Sequence, residues 1–200
     1  MEKIAFDLWG TLAYLKPGED FGILIAKELG IKKGDYHNLV KRFWFRRDLK
    51  TKEFVKILVN ETGNDNASVE YLTKQIQSPY GRHALYQDSV KSLERLSQDR
   101  ELLLVSDTSS LGKRMFYDLE IYHFFNKLYF SCNEGKTKEE GLYLHVLEDL
   151  GISPQEMLVV GDSLKTDYNI PLSLGSRAIF LDRNNKCSKG QSIKSLEGLK

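Results

Sequence analysis

Ile4-Ala5-Phe6-Asp7-Leu8-Trp9-Gly10-Thr11-Leu12 decides how this chain is read. A short apolar run ends in a lone carboxylate, and Gly-Thr follows at once. Runs of this kind form strands buried on both faces of a parallel sheet, and ligands bind at the carboxyl ends of such strands. Asp7 is therefore placed where chemistry occurs. Trp9 stands where a second acid would be useful.

Working outward, four further apolar segments have the length of buried strands: Leu102 to Val105, Lys127 to Phe130, Met157 to Val160 and Arg177 to Leu181. Helical patterns separate them. Asp88 to Leu96 puts Val90, Leu93 and Leu96 on one face. Leu111, Met115, Phe116 and Leu119 share another. Leu142, Tyr143, Val146, Leu147 and Leu150 recur at helical spacing, and Gly151 follows as a stop. Ser153-Pro154-Gln155-Glu156 has the form of a capping box with Pro at the first position. Alternating strand and helix specifies an α/β fold with a Rossmann-like parallel sheet core.

Residues from about Tyr14 to Ala84 depart from that alternation and read as helical throughout. The stripes are Phe21/Leu24/Ile25/Leu29, Tyr36/Leu39/Val40/Phe43, Phe54/Ile57/Leu58 and Val69/Leu72/Ile76. About four helices inserted after the first strand suggest a helical cap over residues 15–84, with the core formed by 1–14 and 85–200. Asn184 to Gln191 reads as a polar loop before a last short helix.

The 200 residues are 41% hydrophobic and 28% charged, with a net charge of +1. This composition supplies a real core and gives no reason to expect a nucleic-acid or membrane partner. Cys132 and Cys187 lack metal-type spacing and read as free thiols. The opening Met-Glu-Lys does not resemble a signal peptide, so a cytoplasmic location is expected.

Chemistry-bearing residues gather at the strand ends: Asp7 with Thr11, then Ser106, then Lys136 or Lys138, then Asp162 and Asp167. In a parallel sheet these ends share one edge. A carboxylate can act as a nucleophile. Three carboxylates form a hard oxygen site suited to Mg²⁺. A lysine offsets charge, and a hydroxyl orients an anionic oxygen.

These residues resemble the four motifs of the haloacid dehalogenase-like hydrolases, in order: FDLWGTL, LLLVSD, Gly135-Lys136-Thr137-Lys138 and GDSLKTD. Lys138 fits the family's Gly-x-x-Lys spacing, and Lys136 is the alternative. The resemblance implies a Rossmann-like core and a helical cap of the C1 type that closes over the site. It implies a nucleophilic Asp7, with Thr11, Ser106 and Lys138 stabilising the reacting group. It also implies Mg²⁺ held by Asp7, Asp162, Asp167 and the backbone carbonyl of Trp9.

The chain departs from the family's phosphatases at Trp9, where an aspartate acts as acid and base. An indole can donate one hydrogen bond and accepts no proton. Three readings follow. The first is a Mg²⁺-dependent phosphatase acting on a small phosphorylated metabolite, slowed or made selective by Trp9. The second is a 2-haloacid dehalogenase-like enzyme acting on a halogenated metabolite, since those enzymes carry an aromatic residue here. The third is a non-catalytic binder of phosphorylated ligands. The paired Asp162 and Asp167 favour the phosphatase, because dehalogenases use no metal and the acids would repel Asp7 without a cation. Ser106 is followed by Asp107, not the family's usual Asn, and Asp107 reads as the cap of the next helix. The basic, aromatic run Lys41 to Lys50 reads as an amphipathic cap helix, with Arg46 or Arg47 as a candidate contact for an anionic substrate. Arg82-His83 falls near the expected hinge.

Overall fold

The computed structural model describes residues 2–18, 20–184 and 192–199. In chain order, strand β1 (Lys3–Phe6) is followed by β2 (Ala13–Leu15) and four helices, α1 (Phe21–Glu28), α2 (Lys33–Leu39), α3 (Thr51–Thr62) and α4 (Val69–Gln77). The chain then returns through β3 (His83–Leu85), α5 (Ser89–Leu96), β4 (Glu101–Ser106), α6 (Ser110–Asp118) and β5 (Lys127–Phe130). It continues with α7 (Ser131–Glu134), α8 (Leu142–Leu150), β6 (Met157–Gly161), α9 (Ile170–Ser173), β7 (Arg177–Leu181) and β8 (Ser192–Ile193).

Six strands form one sheet in the order β5-β4-β1-β6-β7-β8, all pairs parallel. The chain builds outward from β1 in one direction and then in the other. This reversal opens a ligand crevice at the carboxyl edge beside β1. Ile4, Phe6, Leu102 and Leu104 face one core cluster, and Ala5, Leu103, Val105 and Val159 face the other. Both faces are covered, as the continuous apolar runs require. The five strands read from sequence are all present. β4 and β6 extend to Ser106 and Gly161, and β8 adds a short edge strand.

The segment between β1 and β4 is not helical throughout. β2 and β3 pair antiparallel, with Ala13 opposite Leu85 and Leu15 opposite His83. This ribbon brings the two ends of the helical segment together, and Arg82-His83 lies on it. Three-residue strands give too few residues for a period-2 pattern to register in the sequence. α1 to α4 bury Ile25, Tyr36, Trp44, Phe54, Leu58 and Leu72 in a core of their own. α2 continues into a wider π-type turn, Val40–Trp44, which turns Phe43 and Trp44 inward. The Trp44 ring stacks on Phe54 at 4.4 Å between centroids.

Two local expectations change. Val90 is exposed, and α5 instead buries Ser89, Ser92, Leu93 and Leu96. The Ser89 hydroxyl donates to the Leu12 carbonyl at 2.7 Å, so a polar residue occupies the inner face to fasten the loop after β1. The capping box Ser153–Glu156 forms but closes a single 3₁₀ turn that leads into β6. Most of Asn184 to Gln191, and Cys187, lie outside the described residues. The expected last helix is a 3₁₀ turn at Leu196–Gly198. Cys132 is buried and free, and burial pushes its thiol up to about 11. No helix among the described residues is long and apolar enough to cross a membrane.

Candidate active site

β1 hands its chain to a tight turn directly after Asp7. The Leu8 carbonyl accepts from the amides of Leu12 and Ala13, each at 2.9 Å. Gly10 takes φ +82°, a region that a side chain disfavours. A Cβ there would stand 2.1 Å from Asp162 Oδ2, so the glycine also lets that carboxylate approach. The Arg183 guanidinium holds the turn from outside. It donates to the Thr11 carbonyl at 2.7 Å and pairs with both oxygens of Asp88 at 2.9 Å.

Asp7 Oδ2 accepts from the Thr11 hydroxyl at 3.4 Å, and Asp7 Oδ1 accepts from the Lys138 ammonium. The same ammonium donates to Asp167 Oδ1 at 2.6 Å. Asp167 is fixed further by the Tyr143 hydroxyl at 3.1 Å and by the Ser163 amide at 3.1 Å. Asp7, Asp162 and Asp167 each offer an oxygen within 4.8 Å of the others. Lys138 thus stands between the first and fourth motifs. Lys136 is half-buried and does not reach these carboxylates.

Asp167 rides on a π-type turn, Leu164–Asn169, packed against the end of β6. A Cβ on Gly161 would lie 2.4 Å from the Asp167 carboxyl carbon. Gly161→Ala must therefore push aside a buried carboxylate that accepts hydrogen bonds from Lys138, Tyr143, Ser163 and Thr166. We expect a loss of about 1–3 kcal/mol, typical of overpacking, read as a lower Tm. An unchanged Tm would show that Asp167 relaxes freely.

Asp7 and Asp167 share one buried ammonium, and the exposed Asp162 lies beside them. Burial lifts the Asp7 carboxyl above its usual range. The Lys138 ammonium pulls it down, and Asp167 and Asp162 push it up. Burial by itself would lower Lys138, but Asp167 and Asp7 outweigh it and the net shift is upward. Lost hydration and then Asp167 raise Asp162 as well. Excess negative charge on hard oxygen donors fits a small divalent cation.

Ser106 ends β4 fully buried, and its hydroxyl has no hydrogen-bond partner among the described residues. Buried hydroxyls are normally paired; those of Ser92 and Ser176 are also unpaired, and Ser106 differs from them in standing at the carboxyl end of β4 beside β1. Asp107 does not cap α6; the Ser109 side chain does, accepting from the Gly112 amide. Asp107 Oδ1 instead accepts from the Lys138 backbone amide at 2.9 Å and anchors the turn carrying that lysine. The expectation failed because the acceptor's partner lies 31 residues away.

The Trp9 indole donates to the Thr108 hydroxyl at 3.2 Å. Its side chain is thereby committed to the loop after β4, and only the Trp9 backbone remains to serve a cation. Arg46 donates from Nε and Nη2 to the two carboxylate oxygens of Glu140, and Arg47 sits exposed beside the Phe43 ring. Arg46 therefore ties the helical unit to the turn containing Lys138. Lys41 to Glu139 at 3.3 Å and Lys113 to Asp48 add to this fastening. Tyr143 and Thr108 were missed from sequence. Tyr143 lies on the apolar stripe of α8, and nothing local distinguishes its hydroxyl from a packing tyrosine.

A parallel α/β sheet carries a buried carboxylate, a lysine and paired acids together on one edge. A family model for haloacid dehalogenase-like hydrolases matches residues 1–169, and the chain belongs to that family. No curated protein sequence matches it. Among solved structures, the chain is similar to a HAD phosphatase from Thermococcus onnurineus. Identity is 21%, the TM-score is 0.63, and 98% of this chain and 95% of that one are covered. It is similar to a HAD family enzyme from Bacteroides thetaiotaomicron in complex with magnesium and inorganic phosphate. There identity is 19%, the TM-score 0.67 and coverage 94% and 98%. It is also similar to a 2-haloacid dehalogenase from Pseudomonas syringae pv. Tomato, at 16% identity, TM-score 0.68 and coverage 98% and 95%. At these identities the likeness establishes the fold, and both chemistries stand among the neighbours.

Proposed function

We propose that this protein is a Mg²⁺-dependent phosphatase of the family, acting on a small phosphorylated metabolite through Asp7. The observation that carries this reading is the meeting of Asp7, Asp162 and Asp167 within 4.8 Å, with one ammonium paired to Asp7 and Asp167. One Lys138 cannot neutralise three carboxylates, and a site for carbon–halogen cleavage has no use for the last two. Bound Mg²⁺ would supply charge neutralisation and orientation of the phosphoryl oxygens. Asp7, Asp162, Asp167 and the Trp9 carbonyl would hold it.

The remaining roles belong to this chain's own groups. Asp7 attacks phosphorus and carries the phosphoryl group until water displaces it. Lys138 keeps Asp7 ionised and offsets charge on the transferring group. The free Ser106 hydroxyl and that of Thr11 orient phosphoryl oxygens. The α1–α4 unit, residues 15–84, serves as a cap that limits water. Its ion pairs to Glu139, Glu140 and Lys113 favour the closed arrangement.

The dehalogenase reading has one specific observation in its favour, the aromatic residue at position 9. Parallel assays separate the readings: phosphate release with and without Mg²⁺, and halide release from 2-haloacids. Metal-dependent phosphate release without halide release is the expected outcome. Halide release that ignores a chelator would replace the phosphatase reading. Ligand-induced stabilisation with neither product would leave a phospho-ligand binder.

Trp9→Asp would put a carboxyl at the leaving-group position. Acid assistance contributes ~10²–10⁴-fold where the leaving oxygen needs a proton. We expect turnover on alkyl phosphates to rise at least tenfold and turnover on aryl phosphates to change little. Equal effects on both would show that position 9 does not govern protonation.

A further inference from the structure

A cavity of about 270 Å³ lies between the helical unit and the loops that follow β1 and β4. Trp9 and Thr108 line it from the sheet side, each two residues beyond Asp7 and Ser106 in the chain. Tyr36, Val40, Trp44 and Ile76 line it from the helical side. No Lys or Arg is among its described lining residues, and Asp107 adds a carboxylate to its wall. Anionic tails and polyhydroxylated groups would lose hydration there with few partners in return. Of the two arginines read as candidate anion contacts, Arg46 is paired with Glu140 and Arg47 is exposed beside Phe43; neither lines the cavity, and His37 does.

An apolar cavity of about 150 Å³ accommodates one benzene ring. The present cavity therefore has room for one ring and its substituents, between aromatic walls. Trp9 bears independently on the same question. It cannot protonate a departing oxygen, so an alkoxide would leave unaided. A phenol ionises near pKa ~10, like a tyrosine, and its oxyanion departs far more readily than an alkoxide.

Resting on the phosphoryl-transfer reading above, we propose that the substrate is an aryl phosphate monoester whose ring occupies this cavity. An Asp7 carboxylate oxygen bonds to phosphorus as the bond from phosphorus to the ring oxygen breaks. The phenolate leaves with the electron pair and takes a proton from water. A second water then bonds to phosphorus and gives up a proton to solvent. This breaks the bond to Asp7, releases inorganic phosphate and restores the carboxylate.

The test has a kinetic arm and a binding arm, both on the full chain with Mg²⁺. In the first, phosphate release is compared for phenyl phosphate, ribose 5-phosphate and acetyl phosphate. We expect kcat/KM for phenyl phosphate to exceed that for ribose 5-phosphate by at least ~10²-fold, the low end of the acid-catalysis range. Comparable values would overturn the aryl assignment and leave phosphoryl transfer standing. Release from none of the three would overturn the phosphoryl-transfer reading, and the proposal with it.

The binding arm uses fluorescence, because the chain has two tryptophans and both line the cavity. Phenylphosphonate should change their emission and bind at least tenfold more tightly than methylphosphonate. Val40→Phe, checked for an unchanged circular dichroism spectrum, should weaken phenylphosphonate about tenfold. Equal affinity for the two phosphonates in the wild-type protein would overturn the proposal, whatever the variant does.

Discussion

Asp7→Asn should reduce phosphate release by at least ~10³-fold while leaving Tm unchanged or raised. The activity loss follows from removing the proposed nucleophile, and single nucleophile deletions in enzymes reach this size or more. The stability effect has a different origin. Burial and two neighbouring carboxylates raise Asp7, which means that the folded state resists ionising it. A neutral amide removes that cost, and Lys138 keeps its partner Asp167 at 2.6 Å. Activity and Tm measured on the same preparation check both halves. Retained Mg²⁺-dependent turnover would remove Asp7 from its role as nucleophile. A large fall in Tm would show that Asp7 serves the fold first.

Lys138→Met should damage both properties. The ammonium is buried and bonded to two carboxylates, so its removal leaves Asp7 and Asp167 facing each other with no cation of the chain between them. Breaking a buried pair from one side costs about 3–5 kcal/mol. For a chain of this size that is on the order of 10 °C in Tm. The pH dependence follows from the direction of the Asp7 shift. A carboxyl raised in the folded state binds more protons there than in the unfolded chain. Stability therefore falls as pH rises from the unfolded value, ~4, through the raised folded one. Without Lys138 this slope should steepen, so in chelator the variant's deficit should be smaller at pH 5 than at pH 7.5. A deficit independent of pH would mean that lost packing of the lysine stem, not charge, is responsible.

Lys138 shows how far the sequence could be followed. Spacing from Gly135 separated it from Lys136 only by resemblance, and the reach of the ammonium to Asp7, 131 residues away, is a tertiary fact. Asp107 shows the opposite failure. Its position before α6 made a local cap the economical reading, yet Ser109 caps that helix and Asp107 holds the Lys138 amide. Arg46 read as a candidate anion contact because a basic run has no visible partner in one dimension. Folding supplied Glu140. Val90 failed for a related reason: helical periodicity identifies apolar positions, but the loop after β1 needed a hydroxyl, so Ser89 faces inward.

The sequence by itself determined five strands of the main sheet, the main helices between them, the helical insertion and the edge on which Asp7, Ser106 and Asp162 would meet. Those features follow from periodicity and chain order, which are local and additive. Tertiary structure decided which polar groups are paired. It engaged Trp9 with Thr108, Arg46 with Glu140 and Asp107 with the Lys138 turn, and it left the Ser106 hydroxyl without a partner among the described residues. It also brought Trp9 and Trp44, 35 positions apart in the numbering, to one apolar cavity. Pairing and enclosure depend on distances between segments remote in sequence, and no window along the chain contains them.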